Sequence, residues 1–177
     1  MPNVRIEKPI DVRTGAIVSI DEAHSKQHYG KHYNATFYAI GSPSTAVSVL
    51  LTAPPSIASA GNIMHAVFTV EADKGIYWTL GEAPNVGATT SSAIVVYNND
   101  RNSASTSGTV FVGNPSTYVS SGSILTSHVT GANGAPSIDA NARNEWILKS
   151  NSTYIVYALP TATTTQTIIN CTFYLEQ

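Results

Sequence analysis

Thr167-Ile168-Ile169-Asn170-Cys171-Thr172-Phe173-Tyr174-Leu175 decides the fold class. Ile169, Cys171, Phe173 and Leu175 fall on one face at a period of two, with Ile168, Asn170, Thr172 and Tyr174 on the other. β-branched and aromatic residues suit a pleated, half-buried surface. The stretch reads as a strand with its odd face in a core. The same period recurs upstream. Val47, Val49 and Leu51 alternate, as do Met64, Ala66, Phe68 and Val70, and then Ile76, Trp78 and Leu80. Further strands are predicted at 16–20, 33–40, 93–97, 109–112, 124–130, 145–149 and 153–159, with the last spanning 165–175.

Turn chemistry separates these runs: Gly41-Ser42-Pro43-Ser44, Asp73-Lys74-Gly75, Pro84-Asn85-Val86-Gly87 and Gly131-Ala132-Asn133-Gly134. About ten short strands at this spacing indicate an antiparallel sandwich or barrel. The one helical suggestion is 20–31. With 177 residues, no dividing linker and no internal repeat, the expectation is one all-β domain preceded by an arm.

Composition narrows the function classes. Charged residues are 11% of the chain against 42% hydrophobic, and Ser and Thr, roughly a quarter of the chain, replace the missing charge. Nine basic residues and a net charge of −2 do not supply the footprint of a nucleic-acid binder. No apolar run approaches the ~18 residues of a membrane span, and the N-terminus carries no secretory signal pattern. The single cysteine, Cys171, has no internal disulfide partner and reads as a small buried hydrophobe. A reactive thiol needs a basic or His-rich setting that its strand lacks.

Candidate sites are few. Residues 1–14 concentrate Arg5, Glu7, Lys8, Asp11 and Arg13 with Pro2 and Pro9. They read either as a solvated terminus or as a segment that orders on a partner, with Val4, Ile6, Ile10 and Val12 as alternate anchors. His24, His28 and His32 recur every four residues, a helical spacing that would converge on a metal. Gly30 interrupts that helix and no His-Glu-x-x-His motif is present, so a polar loop is the favoured reading and no cofactor is expected. Nucleophile-elbow, phosphate-loop and dinucleotide motifs are absent. Asp73, Glu82, Asp100, Asp139 and Glu145 are dispersed, and among eleven acids chance pairing is the better reading than a glycosidase pair. An enzyme is not expected. The densest polar cluster, Asn98, Asn99, Asp100, Arg101 and Asn102 after Tyr97, reads either as a shaped turn or as a contact to a neighbouring subunit, with Arg101 as a bidentate donor. The sequons at Asn34, Asn151 and Asn170 read as coincidence in so Ser/Thr-rich a chain.

Three stretches also resemble, in order, a family of capsid decoration (cement) proteins of tailed bacteriophages. They are Ile20–Tyr33, with its acidic-His-x-x-x-His-x-Gly pattern, Tyr97–Ser103, and Arg143–Tyr154 followed by the closing strand to Glu176. Asp100 within the Asn run departs from the family pattern. The resemblance implies an antiparallel jelly roll like that of tumour necrosis factor, formed by residues 20–177 and assembled as a homotrimer. It implies an N-terminal arm, 1–19, that meets the major capsid protein on the outer face of the virion through Arg5, Ile6, Glu7, Lys8 and Arg13. The expected function is to stabilise the shell. A receptor- or glycan-binding head of a fibre or adhesin is the alternative, and it needs exposed aromatic platforms. Trp78 and Trp146 alternate with core residues and are expected inside.

Overall fold

A computed structural model describes residues 29–55, 63–86, 92–115, 118–129 and 145–176. The predicted strand at 16–20 and most of the helical suggestion lie outside these residues. Among the described residues there is no helix; Tyr29 and Gly30 form a turn leading into the first strand.

Thirteen strands follow in chain order: β1 His32–Gly41, β2 Val47–Thr52, β3 Ile63–Ala72, β4 Ile76–Glu82, β5 Asn85–Val86, β6 Ser92–Ala93, β7 Val96–Asn98, β8 Val110–Gly113, β9 Tyr118–Ser120, β10 Ser123–Val129, β11 Glu145–Leu148, β12 Thr153–Pro160 and β13 Thr165–Glu176. They build a five-stranded sheet ordered β11-β3-β13-β1-β7, a six-stranded sheet ordered β10-β4-β12-β2-β8-β6, and the small β5-β9 pair. All pairings are antiparallel. The longest ladders join β13 to β1, from His32↔Tyr174 to Gly41↔Thr165, and to β3, from Thr167↔Ala72 to Glu176↔Ile63.

The core lies between the inner faces of the two large sheets, as alternation requires. One side supplies Tyr33, Ala35, Met64, Phe68, Val70, Ile169, Cys171 and Phe173; the other supplies Val47, Val49, Leu51, Ile76, Leu80, Phe111, Tyr154 and Val156. The Phe173 ring stacks between Tyr33 and Phe111, with centroids at 5.3 and 5.6 Å. Trp78 is buried and stacks on His128 at 4.7 Å, while Trp146 packs against the core. Neither indole is therefore an exposed platform.

The predicted strand at 93–97 divides. β6 belongs to the six-stranded sheet and β7 to the five-stranded one, and Ile94 N–H still donates to Phe111 O at 2.9 Å as the chain crosses between them. The two outer faces also differ. On the six-stranded sheet Ser48, Leu50, Thr79 and Ile155 point away from the core yet are buried. There Gly81 lies so close under Ser121 that a Cβ would come within 2.1 Å of its carbonyl oxygen. On the five-stranded sheet Thr36, Tyr38, Ile40, Thr69 and Glu71 are exposed.

Candidate functional site

The Asn-rich segment leaves β7 and folds back over the residues that open β1. Asn98 sits opposite Tyr33 in the β1–β7 ladder, which aims its amide at the preceding turn. Its Nδ2 donates to Gly30 O at 2.9 Å and Ser105 O at 3.2 Å, and its Oδ1 accepts from Asp100 N–H at 3.0 Å. Asp100 Oδ1 accepts from Asn102 N–H at 3.0 Å, and its carbonyl accepts from Ser103 N–H at 3.0 Å. The buried Tyr33 hydroxyl also donates to Gly30 O, at 3.1 Å. Two donors on one carbonyl fix the turn, and Gly30 itself has φ +64°.

Asn99 closes the other side. Its N–H donates to His32 O at 2.8 Å, and its amide Nδ2 lies 2.5 Å from His32 Nδ1. An amide nitrogen only donates, so the ring accepts at Nδ1 and carries its proton on Nε2. Burial holds the His32 pKa below its ordinary 6.5, which favours this neutral form. Asn98, Asn99 and Asp100 are thus spent on shaping the loop. Arg101 and Asn102 remain exposed, with the guanidinium 5.1 Å above the exposed Tyr97 ring. The segment is both the shaped turn and a presented surface.

Of the three histidines at four-residue spacing, His24 and His28 lie outside the described residues, and His32 uses Nδ1 on Asn99. No group of three or more His, Cys, Asp or Glu that would hold a metal occurs among the described residues. Arg5, Ile6, Glu7, Lys8 and Arg13 also lie outside them. Cys171 is buried, and desolvation pushes its thiol pKa strongly upward, away from the reactive thiolate.

Two charged clusters escaped the sequence reading. On the outer face of the five-stranded sheet, His65 Nδ1 lies 2.6 Å from Glu145 Oε1 and Nε2 lies 3.0 Å from Glu176 Oε2. Tyr174 donates to Glu145 Oε1 at 2.7 Å, and its ring stacks on His65 at 4.6 Å. The carboxylates approach opposite edges of one imidazole, so the group clamps β11 to β3 and β13 rather than converging on a substrate. At the β11–β12 turn, Lys149 Nζ pairs with Glu82 Oε1 at 2.8 Å. The buried Tyr154 hydroxyl accepts from Lys149 N–H at 2.9 Å and donates to Glu82 Oε1 at 3.3 Å. The hydrogen bond from Lys149 holds the Glu82 carboxyl below its usual pKa. Only strand register brings these residues together; no spacing in the sequence announces them.

Comparison with known protein families, characterised proteins and solved structures finds no match to this chain.

Proposed function

We propose that the chain is a virion structural protein that binds the outer surface of a phage capsid as a homotrimer and cements the shell through residues 1–19. The observation that carries this reading is the locked loop at one edge of the sandwich. It spends its own polar groups internally and presents Arg101 and Asn102 beside exposed Tyr97. Val95, between β6 and β7, and Val110, at the start of β8, are also exposed. Aromatic and aliphatic contacts around an arginine are what a protein partner recognises.

Strand order supports a jelly roll as the finer description. Its eight principal strands pair first with last: β1 with β13, β2 with β12, β3 with β11 and β4 with β10. Three of the four edges of the two large sheets, β6, β7 and β11, are strands of four residues or fewer, which suits persistent exposure on a particle. A trimer presenting three arms to a matching site converts weak contacts into avid attachment.

The test is to mix the full chain with undecorated capsids of its own virus, after weighing the free protein by light scattering. The expected results are a trimer in solution, ordered trimers on the shell, and loss of binding when residues 1–19 are removed. A monomer that leaves the shells bare, or an arm-deleted protein that binds as tightly as the full chain, would overturn the reading.

A further inference from the structure

The open face of the five-stranded sheet carries a groove far from the Asn-rich loop. Tyr38, Ile168 and Glu71 stand in one row across β1, β13 and β3, because Tyr38 faces Ile168 and Ile168 faces Glu71. With strands ~4.8 Å apart, the two outer residues of the row stand ~10 Å from each other. Ala72, Asp73 and Gln166 complete a shallow groove of about 240 Å³, partly open to solvent. That is somewhat smaller than the ~300 Å³ at which drug-sized pockets begin, and it fits a ligand the size of one sugar ring.

Its chemistry is mixed in a particular way. Tyr38 is 53% exposed and offers ring surface. Ile168 supplies an apolar floor. The Tyr38 hydroxyl, the Glu71 carboxylate and the Gln166 carboxamide have no side-chain partner among the described residues, so donors and acceptors converge on the groove unspent. Asp73 is committed to the groove's shape, since its Oδ1 accepts from Gln166 N–H at 2.8 Å and its N–H donates to Gln166 O at 3.2 Å. Lys74 is drawn away, its Nζ donating to Thr163 O at 2.7 Å and to Thr164 Oγ1 at 3.2 Å.

We propose that this groove is a saccharide-binding site that seats one neutral hexose ring on Tyr38, with Glu71 and Gln166 hydrogen-bonding its hydroxyls. A sugar ring has an apolar C–H face and a rim of hydroxyls that both donate and accept, which matches this set group for group. Glu71 and Asp73 repel acidic sugars. A cationic side chain fits less completely, because it carries only donors and would leave the Tyr38 hydroxyl proton and the Gln166 amide N–H groups unmatched. The inference is independent of the capsid reading: a trimeric head would repeat the groove three times, and a lone subunit would still bind weakly.

The experiment is saturation-transfer NMR on the full chain with methyl glycosides of glucose, galactose, mannose, rhamnose and N-acetylglucosamine. Methyl glucuronide and lysine amide serve as competing chemistries. At least one neutral glycoside is expected to bind at about the millimolar level, as a single shallow site allows. Tyr38→Ala is expected to weaken it roughly tenfold, the order set by one lost aromatic contact and its hydrogen bond. Tyr38→Phe keeps the ring and most of the affinity. Glu71→Gln weakens binding, whereas Ile124→Ala on the other sheet leaves it unchanged, and thermal unfolding confirms that each variant is folded. The proposal is overturned if no neutral glycoside binds, if only lysine amide or methyl glucuronide binds, or if Tyr38→Ala binds as well as the parent.

Discussion

Replacing Gly30 with Ala adds one methyl group at the point where the Asn-rich loop meets β1. That Cβ would come 2.1 Å from Ser103 Oγ and 2.6 Å from Ser103 Cβ. Rotating the Ser103 hydroxyl relieves the first contact and not the second, so the loop must move. The backbone adds its own cost, because φ is +64° and an L side chain there costs about 1–2 kcal/mol. Displacing the loop also strains the bonds from Asn98 and Tyr33 to Gly30 O, each worth about 1 kcal/mol. The sum is a destabilisation of about 2–4 kcal/mol. Urea unfolding reads the total, and amide exchange at Asn99 and Ser103 reads the loop. A Ser103→Gly change in the Gly30→Ala background removes the collision and leaves the backbone cost of about 1–2 kcal/mol, together with the lost bond from Ser105 N–H to Ser103 Oγ. The two changes should therefore couple favourably by at least about 1 kcal/mol. A Gly30→Ala protein with the parent's midpoint and parent-like exchange, or strict additivity in the double variant, would refute the reasoning.

Acidification should loosen the same loop. The folded His32 pKa lies below its unfolded value of 6.5, so its contribution is complete above that value and is lost as pH falls through the lowered one. Asn99 amide exchange, corrected for its intrinsic rate, should speed up towards pH ~4.5 in the parent and not in His32→Gln. Tyr154→Phe removes the hydroxyl that joins Lys149 N–H to Glu82 and should cost about 1–3 kcal/mol in urea unfolding, with the turn at 149–152 exchanging faster. Cys171 should resist a thiol reagent in the folded protein and react fully once urea unfolds it; rapid labelling under native conditions would contradict its burial.

The core strands were legible because burial on one face writes itself into the sequence at a period of two. β1 through β4, β12 and β13 match their predicted positions within one or two residues. Alternation says nothing of sheet membership, and this is why 93–97 reads as one strand although the chain changes sheets after Ala93. The Asn-rich segment was legible as turn chemistry, but its lock on Gly30 and His32 depends on Asn98 falling opposite Tyr33. The clamp on His65 follows from Ile147 pairing with His65 and Glu145 with Val67, a register that single-strand patterns do not contain. The groove at Tyr38 has the same origin: its residues come from three strands far apart in the sequence, and only their pairing sets them in one row.

The place of β13 between β1 and β3 has a consequence for how the molecule is made. β13 leaves the ribosome after both strands that hydrogen-bond to it, so neither ladder closes until residues 165–176 have emerged. Closing contacts of such long sequence separation makes folding slow and late relative to synthesis. A chain halted before residue 165 lacks the centre of one sheet and the middle ring of the core's aromatic stack, and so cannot complete either the sheet or the core. The emergence of β13 thereby acts as a checkpoint, enforced by topology alone.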